Sequence, residues 1–213
     1  MKVLITGSSR GIGKEISKYF NEKNHTLYCP TRKELDLSKN IKLKETDFDI
    51  VINNAGINPL SKFEDSHRDL DSVFNTNFKS AYQIINQCLP NMIKNNYGRI
   101  INIGSIWIDI AKQGRFCYAV SKNSLHCLSK FITVEYSKYN ILSNTISPGF
   151  VDTELTRKNN TSEEIESLKN KIPCNRLGFP EEIAKLVYQL SVENSYISGQ
   201  NIIIDGGYSC SNH

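Results

Sequence analysis

KVLITGSSRGIG, residues 2–13, runs from a short apolar segment through a cluster of glycines into an amphipathic one. The uninterrupted apolar residues of 2–6 fit a strand buried on both faces. Residues 11–22 then place Ile12, Ile16, Tyr19 and Phe20 along one side of a helix. A strand that feeds a helix through glycines presents backbone N–H groups at the helix N-terminus. An anionic diphosphate can settle there, and any Cβ obstructs it. Gly7 permits the turn, Gly11 the close approach and Gly13 the packing of helix on strand, with Ser9, Arg10 and Ile12 filling the loop between them. Glycine also marks ordinary turns, so the weight lies in the loop's position between buried strand and amphipathic helix.

The same alternation continues outward from this point. Strands are expected at 25–29, at 49–53 (DIVIN, ended by Asn54-Ala55-Gly56), at 99–104 and at 141–147, stopped by Pro148-Gly149. A last strand at 201–204 is closed by Asp205-Gly206-Gly207, a turn more than a site. Two helical stretches fill 63–95, with Pro90 marking a late break or bend, and a long helix covers 116–137. Pro180-Glu181-Glu182 opens another helix, with proline suited to its first turn. Apolar strands alternating with helices predict an α/β fold: a doubly wound parallel sheet of the Rossmann type, one domain spanning 1–213.

Composition excludes several classes of function. The net charge of +4 is spread among interleaved acids and bases, not gathered into the basic stripe of a nucleic-acid binder. No stretch has the length of a membrane span and no secretory leader is visible, so a cytoplasmic protein is expected. The six cysteines are widely spaced without a CxxC pair, which predicts reduced thiols and no metal site. Cys117, beside Tyr118, reads as a small packing residue.

A second constellation follows the glycine loop. A tyrosine with pKa near 10 is a poor base at neutral pH, and a nearby ammonium brings it toward the working range. Tyr118 and Lys122 are four positions apart, so a helix puts them on one face, although Y-x-x-x-K also arises by chance. Ser105 ends a buried strand, where the ligand crevice of an open α/β sheet lies, and its hydroxyl can bond a substrate oxygen.

With TGSSRGIG at 6–13, NNAG at 53–56, Asn77, Ser105, YAVSK at 118–122, PGFVDT at 148–153 and DGG at 205–207, the chain resembles the short-chain dehydrogenase/reductase family along nearly its whole length. The resemblance implies an oxidoreductase interconverting a carbonyl and an alcohol on a small-molecule substrate, with Asn77, Ser105, Tyr118 and Lys122 as catalytic set. It makes Asn77 the holder of a water in a proton relay and Lys122 a partner of the nicotinamide ribose. Asn54, Ala55 and Gly56 would lie along the adenosine side, and Pro148, Gly149, Val151 and Thr153 would meet the carboxamide and phosphates. A homotetramer built on the two long helices is implied, with a homodimer as the alternative.

The cofactor expected is NADP(H) rather than NAD(H). Thr31 stands about where the family carries an acid for the adenine ribose, and Arg10 and Arg32 can converge on a 2′-phosphate. The fold is shortened between its second and fourth strands, because only 19 positions, Pro30 to Phe48, separate the second strand from DIVIN. Asp36 and Leu37 resemble the adenine-side pair of the family, reached with almost no intervening helix. Residues 150–174 are expected to cover the substrate, and Ile106, Trp107 and Phe116 to flank it. A 3-oxoacyl thioester or a keto sugar fits this form of the family. The rivals are an inactive nucleotide-binding regulator on the same fold and a nucleotide-sugar epimerase or dehydratase.

Overall fold

Alternation along the buried strands assigns each apolar residue to one of two cores. In β1 (Lys2–Ile5), Val3 and Ile5 face one side of the sheet and Leu4 the other. The computed structural model describes residues 1–158 and 160–211. After β1 come α1 (Gly11–Glu22), β2 (Thr26–Tyr28) and β3 (Ile50–Asn53). A 3₁₀ turn at Phe63–Arg68 leads into α2 (Leu70–Phe74), a π-helical turn at Asn75–Lys79 and α3 (Ser80–Lys94). Then follow β4 (Gly98–Ile103), α4 (Phe116–Tyr136), β5 (Ile141–Pro148), α5 (Glu154–Lys158), α6 (Ser162–Lys171), α7 (Pro180–Tyr188) and β6 (Asn201–Ile204).

All strand pairings are parallel, in the order β2-β1-β3-β4-β5-β6. Ile16 and Phe20 of α1 pack with Ile183 and Val187 of α7 on one face, over Ile5, Ile52 and Ile101. Ile84, Ile85 and Met92 of α3 and Ile132 of α4 cover the other, over Leu4, Val51 and Ile100. This is the doubly wound α/β class expected. The chain reverses its direction across the sheet between β1 and β3, so the crevice opens at the C-terminal ends of these strands.

Pro90 does not break α3, which runs on to Lys94. It lies in the last part of the helix and removes a single N–H bond, so the ladder around it survives. The shortened segment 30–48 contains neither helix nor strand. It lies as a strap on the second core, contributing Leu35, Ile41, Leu43 and Phe48. Backbone groups that an outer strand would pair are met by glutamines of α3. The Ile41 and Leu43 N–H groups donate to Gln83 Oε1 and Gln87 Oε1, each at 3.0 Å, and Gln87 Nε2 donates to the Ile41 carbonyl at 3.1 Å. Among the described residues no helix is long and apolar enough to cross a membrane.

Candidate active site

The glycine loop is held open by a neighbour that looks like a turn residue in the sequence. Asn54 Nδ2 donates to the carbonyls of Thr6 (3.1 Å) and Gly7 (2.9 Å), while Thr6 Oγ1 accepts from the N–H groups of Asn54 and Ala55. Gly7 has φ +68°, and a Cβ on Gly13 would stand 2.2 Å from the Gly7 carbonyl oxygen. Gly13 is thus the packing glycine between loop and helix. Gly11 (φ +54°) has open space in front of it, with only Thr153 across the gap at 3.5 Å from an added Cβ. That open cradle before the first turn of α1, lined by Ser9, Arg10 and Ile12, fits a dinucleotide diphosphate.

The cradle is one end of a cleft of about 400 Å³. Its walls bring together Gly7, Gly11, Gly13, Asn54, Ala55, Gly56, Ser105, Tyr118, Lys122, Pro148, Gly149, Val151 and Thr153. A second hollow of about 610 Å³, on the outer side of α6, carries none of these residues.

The centre of the cleft is built from three elements. Gly104-Ser105 directly follows β4, which leaves Ser105 buried with its hydroxyl oxygen accepting from Trp107 N at 3.4 Å. Tyr118 sits in the first turn of α4, with its phenol near the Ser105 side chain. Burial pushes the phenol's pKa above its ordinary value, and the nearby Ser105 hydroxyl and Arg115 charge offset this only in part. One helical turn on, Lys122 is 2% exposed and donates from Nζ to the Ile103 carbonyl at 2.7 Å. Its burial brings the ammonium down from 10.5 to about 8. The lowering of Tyr118 by Lys122 expected from their spacing is not realised here. Nζ lies 5.6 Å from the ring centroid and turns to the Ile103 carbonyl, so desolvation of the phenol dominates.

Asn77 lies in the π-helical turn, a widened coil that often marks functional positions. Its Oδ1 accepts from Ile57 N at 2.8 Å, and its Nδ2 donates to the Ile57 carbonyl at 2.9 Å and to Ser121 Oγ at 3.0 Å. A Cβ on Gly56 would stand 3.3 Å from both Asn77 Oδ1 and Lys122 Nζ. A larger residue there would push both polar groups back by a few tenths of an ångström. Cys117 is buried and donates to the Ser66 carbonyl at 3.3 Å, and burial raises its thiol pKa, as suits a packing residue.

At the adenosine end the expected residues part company. Arg10 is on the cleft wall. Arg32 is not: its side chain is 87% exposed and lies 3.9 Å from Asp36. Asp36 accepts from Ser38, and Leu37 packs against the second core. Thr31 N and Oγ1 both donate to Glu34 Oε2, at 2.8 and 2.9 Å, which brings a carboxylate to the end of β2 that spacing alone did not reveal.

At the opposite end, Trp107 meets Phe150 edge to face at 6.0 Å, and Phe150 meets Tyr208 at 5.0 Å. Trp107 and Phe150 line the cleft, whereas Ile106 is buried and Phe116 packs on Phe63 at 4.8 Å. Of the covering segment 150–174, Phe150, Val151, Thr153, Glu154, Thr156 and Asn160 line the cleft, and residue 159 lies outside the described residues. Lys112 and Arg115 also line it. The closing Asp205 accepts from Gly207 N and Ser209 N, a turn as expected.

Comparison with known proteins agrees with this geometry. The family model described as enoyl-(acyl carrier protein) reductase matches residues 35–209. The chain is 35% identical to the 3-oxoacyl-[acyl-carrier-protein] reductase of Chlamydia trachomatis serovar D, over 96% of this chain and 95% of that one. Among solved structures, a mutant 4-hydroxyisoleucine dehydrogenase complexed with NADH and succinate superposes with a TM-score of 0.91, at 26% identity and 100% coverage of both chains. ElxO with NADP bound gives 0.90, at 25% identity and 99% coverage of both. The chain belongs to the short-chain dehydrogenase/reductase family. It is an NAD(P)-dependent alcohol dehydrogenase or ketoreductase acting on CH–OH groups.

Proposed function

We propose that this single-domain protein reduces a carbonyl to an alcohol with NADP(H), in the cytoplasm, through Asn77, Ser105, Tyr118 and Lys122. The observation that carries the reading is the convergence of the glycine cradle, Ser105, Tyr118 and Lys122 on one cleft. With its diphosphate in the cradle, a bound NADPH would supply a hydride to the carbonyl carbon. The Ser105 hydroxyl donates to the carbonyl oxygen and fixes its place. The Tyr118 phenol, kept protonated by its raised pKa, gives its proton as the oxygen becomes an alkoxide. Lys122 lies at the floor, where it can hold the nicotinamide ribose and return a proton toward the phenol. Asn77 fixes the Gly56–Ile57 backbone beside it and keeps one oxygen lone pair for a water in that relay.

The substrates favoured by the relatives are 3-oxoacyl thioesters, followed by keto sugars. Following NADPH oxidation across such carbonyl compounds tests the reading. Cofactor binding without turnover of any of them would favour the inactive regulator.

Preference for NADP(H) is expected to rest on Arg10. A charged hydrogen bond is worth roughly 1.5–3 kcal/mol, so Arg10→Ala should raise the KM for NADPH roughly ten- to hundredfold and leave NADH nearly unaffected. Arg32→Ala should change little, because Arg32 is exposed and stands off the cleft wall. Wild-type protein using NADH at least as well as NADPH would overturn this preference.

Assembly is expected through the α3 and α4 faces. Phe131 and Val134 of α4 are 60% and 85% exposed, an unusual state for large apolar side chains on a helix. A homotetramer, or failing that a dimer, would cover them. Light scattering at micromolar concentration should give a multiple of 24.2 kDa, and a monomeric mass would refute the expectation.

A further inference from the structure

We propose that the substrate end of the cleft selects a small carbonyl compound carrying an anionic group within a few bonds of the reacting carbonyl, and that Arg115 and Lys112 hold that group. The inference rests on the ketoreductase reading and, within it, favours small keto acids or phosphorylated keto sugars over the carrier-bound 3-oxoacyl thioesters of the relatives.

Both residues lie in the cleft wall with Ser105, Trp107 and Tyr118. Arg115 caps α4, its carbonyl accepting from Ala119 N at 2.8 Å, and so stands just before the turn that carries Tyr118. Its charge acts on the phenol. Lys112 extends over the rings of Trp107 and Phe150, with Nζ 5.6 and 5.9 Å from their centroids. These aromatics place the ammonium at the cleft mouth without neutralising it.

Neither cation has an acidic partner among the described residues. No ion pair includes them, and Arg115 Nε is buried with no hydrogen-bond acceptor. A buried guanidinium N–H left unpaired is costly, so such a group in a cleft wall points to an acceptor arriving with a ligand. Burial lowers the pKa of both residues, and for Lys112 the neighbouring charges of Arg115 and Lys171 lower it further. Glu164 acts on Lys112 in the opposite sense, and Glu154 is a carboxylate of the same wall. Neither closes on the two cations. The diphosphate cradle is formed by the first turn of α1, whereas Arg115 belongs to the element that bears Tyr118. The charge it meets is therefore that of the substrate.

A planar guanidinium beside an ammonium accepts a carboxylate or a phosphate. One helical turn between Arg115 and Tyr118 keeps that charge close to the carbonyl and disfavours an anion at the far end of a long carrier.

Paired substrates test this directly. With NADPH, kcat/KM is measured for acetoacetate against methyl acetoacetate and for dihydroxyacetone phosphate against dihydroxyacetone. The anionic member of at least one pair is expected to lead by roughly ten- to hundredfold, and the leading pair tells carboxylate from phosphate. Arg115→Gln should erase most of that ratio, and Lys112→Gln should reduce it. A role of Arg115 confined to tuning Tyr118 would slow both members alike and leave the ratio intact, which would overturn the proposal. Neutral members reduced as well as anionic ones would do the same while leaving the ketoreductase reading standing. Titration calorimetry of the NADPH-loaded protein with malonate and malonamide gives an arm independent of turnover. Malonate should bind and malonamide should not, and equal binding or none by malonate would sink the anion site. Failure to turn over every carbonyl, with malonate still binding, would instead count against the reductase reading alone.

Discussion

Replacing Tyr118 with phenylalanine is expected to cut turnover by roughly 10²–10⁴-fold, the usual contribution of a positioned general acid. The substitution removes one oxygen from the proposed proton donor and keeps the ring that occupies the first turn of α4. Ser105 keeps its contact with Trp107 N. The fold and the cradle at the far end of the cleft should be untouched, so the Kd for NADPH should stay within about twofold. Ser105→Ala should cost less, since it deletes one neutral hydrogen bond and not the proton itself. Stopped-flow reduction with a fluorescence titration of NADPH separates the two effects. A Tyr118→Phe protein within tenfold of wild-type turnover would remove Tyr118 from the chemistry.

Lys122→Met should abolish turnover, weaken NADPH binding and yet make the cofactor-free protein more stable. The lysine is buried beneath the cleft with no carboxylate paired to it among the described residues. Its fall from 10.5 to about 8 amounts to a burial cost of about 3 kcal/mol at neutral pH. Methionine fills a similar volume without the charge, though it strands the Ile103 carbonyl at a cost of about 1–2 kcal/mol. A net gain of about 1–2 kcal/mol remains, a rise of a few degrees in Tm for a chain of this length. The pH dependence carries the same signature. Between about 8 and 10.5 the unfolded lysine holds a proton that the folded one has released, so wild-type stability should climb with pH across that window. In Lys122→Met that climb should vanish. Denaturant midpoints at pH 7 and pH 9.5 read both effects, and a variant less stable than wild type at pH 7 would contradict the burial argument.

The sheet and the glycine loop were legible in the sequence because continuous apolar runs such as DIVIN and RIINI have few structural uses other than buried strands. The set Ser105, Tyr118 and Lys122 was legible for a related reason, since strand end and helix spacing fix where those side chains meet. Other features depended on contacts between distant parts of the chain. Asn54 reads as an adenosine-side residue at a turn, and its bracing of the glycine loop appears only once β3 lies beside β1. The strap 30–48 was recognisable as too short for a strand and helices, but not as a segment held by Gln83 and Gln87. Arg32 follows β2 closely enough to suggest a phosphate contact, yet the turn carries it to Asp36. Lys112 and Arg115 look like scattered surface charge until the 105–118 loop folds them into the cleft wall.

The strap has one more consequence, for behaviour in crowded solution. Where an outer strand would continue the sheet, β2 forms its margin with only the three residues Thr26–Tyr28. Long open margins invite strands from other molecules and lead toward fibrillar aggregates. A margin this short gives a foreign strand little to extend, and Phe48 stacks on Tyr28 at 5.6 Å beside it. By trading a strand for a strap tied to glutamine side chains, the chain shortens one template for runaway sheet growth.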